Sequence, residues 1–392
     1  MKTILDIFDV EESYKLPDKI LKELMSEHAE IIIREVKENF NYNNIRDFFQ
    51  VDCSDRKNLK QDFTPDCIAT IVAALMKDGD VLDMCAGTGT LSIAAAKAHN
   101  IRICEQEFSE KTIPFALLSA CVENMEGTIS RADCLRNIVK ESYELQSVGD
   151  ISIPKKISPQ ETGYHDNVIM NPPFSMKFQD ADQYPMGDFV IPKNRADYGF
   201  LIQGLNHLKD NGRSIAILPH GVLFRGNKEK EIRKQLIERH LVNAVIGLPD
   251  KLFLNTSIPV FLLILEQNSP NVLFIDASKD FENGSKQNTM TANQIHRIVN
   301  SFESRKDIEK YAHVADYKEI IDNDYNLNIS RYVDTFEEEF LDVGKILNEL
   351  ETINKESKQI EISLYRMLGT LVGSEKDMKY IEKHREILNN NN

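Results

Sequence analysis

The chain has 392 residues, of which 42% are hydrophobic and 28% charged, a composition typical of a soluble globular protein. No apolar run approaches the ~20 residues that a membrane span needs, and the first residues lack the apolar core of a signal peptide, so we expect a cytoplasmic protein. The net charge of −15 argues against a uniformly basic surface that grips nucleic acid alone. A nucleic-acid partner would require a local basic patch or a second protein.

The first region of the chain predicts helices. Between residues 16 and 49 the apolar residues recur at a spacing near 3.6, and the polar stretch 51–61 that follows is typical of a hinge. From residue 63 the pattern changes to alternating elements. It predicts a helix over 67–76, a strand over 81–84, a helix from residue 91, a strand over 101–105 and a helix over 111–124.

The alternation continues after an interruption. Residues 141–165 contain several Pro, Gly and Ser and are interpreted as a loop inserted before a strand. Further strands are predicted over 167–170, 214–218, 242–247 and 260–265, with helices over 198–208 and 228–239. This order predicts an α/β fold with a doubly wound, Rossmann-like sheet of about seven strands.

The last region again has a helical pattern. Its apolar residues alternate in steps of three and four, with Ser357 as one polar interruption: Val343, Ile346, Leu350, Ile353, Ile360, Leu364, Met367 and Leu371. Roughly four heptads predict a coiled coil or a helical hairpin. An amphipathic helix packed on the protein's own core fits the same pattern, and both interpretations stay open. We therefore divide the chain into an N-terminal helical region (1–60), a main domain (61–335) and a helical tail (336–392).

A glycine-rich turn follows the first predicted strand of the main domain. In the sequence Asp83 to Thr90, Gly87 and Gly89 allow the backbone to turn tightly and to approach a ligand without a Cβ clash. The amides at the start of the next helix favour a polar or anionic group. By itself the turn fits a nucleotide-type cofactor or merely a tight strand-to-helix connection.

Two acidic residues favour a nucleoside ligand. Glu107 lies 18 residues after Gly89, where a carboxylate can accept hydrogen bonds from ribose hydroxyls. Glu105 is the weaker candidate for this role because it falls inside the predicted strand. Asp133 stands where a third strand should end and can accept from an adenine amino group. No C-x-x-C pair occurs among the six cysteines, so neither a disulfide framework nor a metal site is predicted.

The most specific motif is Asn171-Pro172-Pro173-Phe174, directly after the apolar run Val168–Met170. The prolines stiffen the turn and hold the asparagine in a defined direction. The Asn171 side-chain oxygen and the Pro172 carbonyl can both accept hydrogen bonds from one NH2 group. Phe174 offers a ring on which a planar base can stack. The motif therefore predicts a site for a planar amine.

With these motifs the chain resembles N6-adenine DNA methyltransferases, in particular the modification subunit of type I restriction-modification systems. Gln61 to Pro65 is similar to that family's Q-F-F/Y-T-P segment, Asp83 to Gly89 to its D-P-A-C-G-T-G turn, and Asn171 to Phe174 to its N-P-P-F loop. Glu107 stands at the glutamate of its G-Q-E-I-N segment. Further similar stretches extend the resemblance over about residues 60–335.

The resemblance implies S-adenosylmethionine as the cofactor and N6 of adenine in double-stranded DNA as the methyl acceptor. It implies a catalytic loop of Asn171, Pro172, Pro173 and Phe174. The implied cofactor-binding residues are Phe63, Thr64, Pro65, Asp83, Ala86, Gly87, Thr88, Gly89, Glu107, Asp133, Asn171 and Asp197. It also implies a specificity subunit as partner, with a restriction subunit or a homo-oligomer as further options, and the heptad tail as the docking element.

Two departures from the family pattern stand out. Asp62 replaces an aromatic residue, and the glycine turn reads Met-Cys-Ala-Gly instead of Pro-Ala-Cys-Gly. Neither removes a group that the chemistry requires. The alternatives are a stand-alone adenine DNA methyltransferase, an N-methyltransferase acting on RNA or protein glutamine, and an inactive cofactor-binding scaffold. A nicotinamide-dependent oxidoreductase is disfavoured, because the third glycine of G-x-G-x-x-G is missing.

Overall fold

The computed structural model describes residues 2–53, 63–99, 101–184, 186–254, 256–334 and 343–390. The chain divides into two compact units, Met1–Thr335 and Phe336–Asn392. The division into three regions made from the sequence stays a prediction. Most of the proposed hinge at 51–61 lies outside the described residues, as do Gln61 and Asp62.

The first unit contains eleven helices and eleven strands among its described residues. The helices are α1 (Ile4–Ile7), α2 (Leu16–Leu24), α3 (Ala29–Asn39), α4 (Tyr42–Phe48), α5 (Asp66–Leu75), α6 (Thr90–His99), α7 (Ile113–Val122), α8 (Asp197–Asn206), α9 (Lys228–Glu238), α10 (Ala292–Ser304) and α11 (Tyr317–Asp322). The strands are β1 (Val81–Asp83), β2 (Ile103–Glu107), β3 (Gly127–Asp133), β4 (Ile138–Val148), β5 (Ile151–Ile157), β6 (His165–Met170), β7 (Leu208–Pro219), β8 (Val242–Gly247), β9 (Val260–Leu265), β10 (Val272–Asp276) and β11 (Ala312–Ala315).

All eleven strands form one mixed sheet in the order β11-β10-β8-β9-β7-β6-β1-β2-β3-β4-β5. Neighbours from β7 through β6, β1 and β2 to β3 run parallel, and β9 lies antiparallel between β7 and β8. The prediction of a Rossmann-like sheet alternating with helices is confirmed, but the sheet is mixed, with five parallel and five antiparallel pairings among the described strands. The predicted number of about seven strands is wrong.

The extra strands lie at the two edges of the sheet. A seven-strand centre carries the hairpin β4–β5 on one side and β10–β11 on the other. The interpretation of 141–165 as a loop is therefore wrong, because most of these residues pair in the hairpin. Gly149 at its tight turn and Pro154 within β5 suggested a loop. On an edge strand, however, a residue without an N–H is tolerated.

Helices cover both faces of the sheet. Successive residues of one strand point to different cores, so that Val81 packs with α5, α6 and α7 while Leu82 packs with α8 and α9. The N-terminal helices α2, α3 and α4 contact α7, and α3 also reaches β5. The helical prediction for residues 16–49 is confirmed, with breaks between the three helices.

The second unit contains the helices α12 (Val343–Thr370) and α13 (Glu375–Asn390), which contact each other. The helical prediction for the tail is confirmed. The heptad side chains from Ile346 to Leu371 are 41–68% exposed. Among the described residues, none of the helices combines the length and apolar character required to span a bilayer.

Candidate cofactor and amine site

A pocket of about 300 Å³ lies at the carboxyl ends of β1, β2, β3 and β6. These are the central parallel strands, so the loops that follow them meet at one edge of the sheet. The predicted residues in the pocket wall are Phe63, Thr64, Ala86, Gly87, Glu107, Asp133, Asn171, Pro172, Pro173 and Phe174. The fold therefore brings the four predicted motifs into one cavity.

Backbone hydrogen bonds to neighbouring strands hold the glycine turn after β1. Met84 N donates to the Ile169 carbonyl at 3.1 Å, and Ala86 N donates to the Gln106 carbonyl at 3.0 Å. Gly87 has φ +58° and a Cβ built on it would meet no protein atom within 4 Å. Because Gly87 also lines the pocket, this open space is room for a ligand that approaches the backbone closely.

Glu107 is the last residue of β2 instead of lying beyond the strand, because the strand begins and ends two positions later than predicted. Its carboxylate accepts hydrogen bonds from Gly87 N at 3.0 Å and from Ser109 N at 2.7 Å. Burial raises the pKa of this carboxyl, and the backbone donors oppose that rise. Glu107 lies in the pocket wall, whereas Glu105 does not. The carboxylate can therefore hold a ribose while it fixes the turn.

Asp133 ends β3 as predicted and is bound by an arginine that the motif analysis missed. Arg136 donates to Asp133 Oδ2 at 2.6 Å and makes a second ion pair with Asp180 at 2.6 Å. Its guanidinium lies 5.4 Å from the centre of the Phe178 ring and 5.5 Å from that of Tyr184. Both acids raise the pKa of Arg136, with Asp180 contributing most. Arg136 thus links the end of β3 to the segment that follows the Asn171 loop.

The Asn171 loop is held by side chains from two other segments. Asn171 Nδ2 donates to Thr64 Oγ1 at 3.0 Å, which fixes the orientation of the amide. The Phe174 ring packs edge-on against Phe253 with 6.0 Å between ring centres. Ser175, at φ +53°, donates its backbone N–H to Asp197 Oδ1 at 2.9 Å. Segments far apart in the sequence therefore fix the direction of the asparagine.

Five of the predicted cofactor-binding residues lie outside the pocket wall: Pro65, Asp83, Thr88, Gly89 and Asp197. Asp197 is fully buried and forms an ion pair with Arg225 at 3.3 Å. Its contact with Ser175 N places it behind the Asn171 loop, where it helps to hold that loop. Asp83 is buried below the glycine turn and accepts from Cys85 N and Ser92 Oγ.

The sequence analysis missed several wall residues, namely Met84, Cys85, Thr90, Phe108, Cys134, Leu135, Arg136, Met176 and Phe200. Phe108 could have been predicted from the sequence, because an aromatic residue directly after Glu107 must lie at the same edge of the sheet. Its side chain is 51% exposed, and Lys140 lies 5.5 Å from its ring centre. Arg136 had no signal, because its partner Asp180 is 44 residues away.

The fold of the chain is that of class I S-adenosylmethionine-dependent methyltransferases. A structure of this class from Listeria monocytogenes shares the fold, with a TM-score of 0.52 and 18% identity over 76% of this chain and 91% of that one. The family model described as N-6 DNA Methylase matches residues 45–340. The chain belongs to this family, and S-adenosylmethionine is its cofactor.

Type I methylase subunits are among its relatives. The MjaVII methylase subunit of Methanocaldococcus jannaschii is 32% identical over 76% of this chain and 54% of its own length. The MpnII methylase subunit of Mycoplasma pneumoniae is 27% identical over 77% and 58%. A type I methyltransferase subunit from Streptococcus thermophilus superimposes with a TM-score of 0.60 and 38% identity, covering 70% of this chain and 59% of that one. The chain spans about half the length of the curated relatives it matches.

Proposed function

We propose that this protein transfers the methyl group of S-adenosylmethionine to N6 of adenine in double-stranded DNA, as the modification subunit of a type I restriction-modification system. The observation that carries the proposal is the shared pocket of the glycine turn and the Asn171 loop. One wall holds a nucleoside-type cofactor through Gly87 and Glu107. The opposite wall presents acceptors for an amine.

The Asn171 loop performs the recognition of the amine. The Asn171 side-chain oxygen and the Pro172 carbonyl accept the two N6 hydrogens, which keeps the nitrogen lone pair directed at the methyl group. Thr64 sets the orientation of the Asn171 amide through the bond to Nδ2. Adenine reaches the loop by extrusion from the duplex and stacks on Phe174. The rate enhancement comes mainly from holding the two reactants in line.

The cofactor supplies an electrophilic methyl group on a sulfonium, so the protein needs no strong base or metal for this chemistry. Glu107 holds the ribose hydroxyls, and its bonds to Gly87 N and Ser109 N keep the carboxylate in place. Asp133, fixed by Arg136, lies at the end of β3 where it can accept from the cofactor's adenine amine. Phe63 and Thr64 cover the pocket from the segment before α5.

The net charge of the chain and the exposed heptad face of the tail both favour a second protein as partner. A chain with a net charge of −15 gains little from general attraction to phosphates, which favours a second protein that supplies much of the binding to DNA. The heptad face of α12 exposes aliphatic side chains at regular intervals. Such a face packs against helices of another subunit. We assign it to a specificity subunit and place the complex in the cytoplasm.

A methyl-transfer assay tests the proposal. The purified chain is incubated with radiolabelled S-adenosylmethionine and adenine-containing duplex DNA, alone and with the cognate specificity subunit, and the products are digested to nucleosides. Labelled N6-methyladenine only in the presence of the second subunit is the expected result. Label without that subunit would favour a stand-alone enzyme. Label in RNA or protein glutamine and never in DNA would overturn the substrate assignment.

A further inference from the structure

Two buried acids lie next to each other below the glycine turn. Asp83 of β1 and Glu105 of β2 are register partners in adjacent parallel strands, so their side chains lie on the same face of the sheet. Both residues are 0% exposed. Neither lies in the pocket wall. The pair is therefore separate from Glu107, the acid that faces the pocket.

Glu105 lacks the hydrogen bonds that a buried carboxylate requires. Asp83 accepts from Cys85 N at 3.4 Å and from Ser92 Oγ at 3.1 Å. In the described parts of the chain, neither carboxyl oxygen of Glu105 has a hydrogen-bond partner. Burying an ionised carboxylate without donors is unfavourable, and such a group takes up a proton instead.

The Glu105 carboxyl also contacts the turn. Its Oε1 lies 3.2 Å from the position that a Cβ on Gly89 would occupy, and Gly89 has φ +89°. The carboxyl therefore lies beside Gly89, so its charge and hydration act directly on the surroundings of the turn. Gly89 N closes the turn by donating to the Ala86 carbonyl at 2.9 Å, and Ala86 lines the pocket.

Among the described residues, the charged groups that act on Glu105 are acids, and no cation acts on it. Asp83 faces it from β1 and Glu107 from its own strand, whereas α6 presents the Ser92 hydroxyl and β3 presents Ile129. Burial is the main cause that raises the pKa of Glu105 to about 8 and that of Asp83 to about 7. The charge of Glu107 adds to the rise at both groups, the charge of Asp83 adds to it at Glu105, and the Ser92 hydroxyl opposes it. At neutral pH the pair thus retains at least one proton.

We propose that a proton on the Glu105 carboxyl, next to Asp83, keeps the glycine turn in its cofactor-binding conformation, and that cofactor affinity falls when this proton is lost in alkaline solution. Glu105 is a positioning residue, since it acts through Gly89 and does not reach the pocket. The inference concerns the cofactor turn alone and does not depend on DNA being the substrate.

The stability of the protein provides the first test. The folded-state pKa of Glu105 lies above its ordinary value of 4.5, so between these two values the folded chain binds more protons than the unfolded chain. The contribution of Glu105 to stability therefore decreases as the pH rises from about 4.5 to about 8, and levels off above that. Glu105→Gln removes this dependence. Relative to the wild type, its melting temperature should rise steadily across this window.

A matched variant separates this effect from a general loss of charge. Glu303→Gln changes an exposed glutamate on α10 and should follow the wild-type melting curve at every pH. If Glu105→Gln were equally destabilised at pH 5 and pH 8, Glu105 would have only a packing role and the proposal would be wrong.

Binding of S-adenosylhomocysteine, measured by calorimetry between pH 6 and 9.5, provides the second test. The wild-type Kd should rise by up to about tenfold for each pH unit above ~8, the limit for coupling to one proton. Glu105→Gln should bind with near wild-type affinity at pH 6.5 and lose most of this dependence. An unchanged pH profile in Glu105→Gln would overturn the proposal.

If Glu105→Gln fails to fold, the wild-type protein still decides. Infrared spectra of the native chain should contain the C=O band of a protonated carboxyl at pH 7 that disappears toward pH 9.5. Absence of that band at pH 7 would contradict the proposal.

Discussion

The two walls of the pocket are built by different means. Backbone hydrogen bonds to β2 and β6 and a carboxylate with two backbone donors hold the glycine turn. The Asn171 loop depends on side chains contributed by remote segments, Thr64 at its first residue and Asp197 at Ser175. The wall formed by the glycine turn is thus bonded directly to the strands of the sheet. The wall formed by the Asn171 loop is held by a few side-chain hydrogen bonds. Substitutions in the first wall should change affinity, and those in the second should change turnover.

Asn171→Ala should have the largest effect. It removes an acceptor aimed at the reacting amine, and loss of one preorganised hydrogen-bonding group typically lowers kcat on the order of 10²–10³-fold. Binding of S-adenosylhomocysteine should be nearly unchanged, because the glycine turn is intact. Near-normal turnover by Asn171→Ala in the methyl-transfer assay would show that the catalytic assignment is wrong.

Asn171→Asp sharpens that test. It keeps an acceptor oxygen and removes the Nδ2 donor to Thr64. The kcat of Asn171→Asp should be intermediate between those of the wild type and Asn171→Ala.

Gly87→Val should weaken cofactor binding by roughly 10–100-fold. A residue with a Cβ pays about 1–2 kcal/mol in the left-handed region, and the valine side chain would also enter the space that the ligand needs. Calorimetry with S-adenosylhomocysteine measures the loss. Gly163→Val is the control, because Gly163 has open space around its Cβ position and no left-handed φ. Equal affinities of the two variants would contradict the assigned turn.

Thr64→Val should reduce kcat by up to about tenfold while Kd for the cofactor changes little. The variant preserves shape but removes a hydrogen bond to Asn171, a contact that typically contributes about 0.5–1.5 kcal/mol. Thr64→Ser, which retains the hydroxyl, should recover most of the activity. A change in Kd without a change in kcat would instead make Thr64 a cofactor contact, the role predicted from the sequence.

Arg136→Gln should produce the smallest effect and affect both walls. Arg136 joins Asp133, on the cofactor side, to Asp180, in the segment after the Asn171 loop. The pairs are partly exposed, and such pairs contribute about 0.2–1 kcal/mol, so Kd and kcat should each change by no more than about fivefold. An effect confined to one of the two constants would show that Arg136 does not couple the walls.

Site residues at the ends of predicted strands could be predicted from the sequence. Gly87, Glu107, Asp133 and Asn171 follow from the rule that parallel strands bring their carboxyl ends to one edge, and the structure places all four in one pocket. Residues that act through partners far away in the sequence could not be predicted. The Thr64–Asn171 bond spans 107 positions, and periodicity carries no information about such a contact.

The predicted number of strands was too low for a related reason. The hairpin β4–β5 contains a glycine turn and a proline, which in a single sequence resemble a loop. Glu105 shows a second limit: its place inside β2 was predicted, but its missing donors become visible only when the neighbours of the strand are known.

The outer edge of the sheet has a consequence for association. Strand β5 carries Pro154 and the exposed Lys155 and Lys156, and α3 contacts it, with Arg34 bound to Asp150 at 2.7 Å. A proline without an N–H and two like charges prevent a second strand from extending the sheet, which protects the chain from edge-to-edge aggregation. Any assembly on this side must therefore use side chains of the helices instead of backbone pairing.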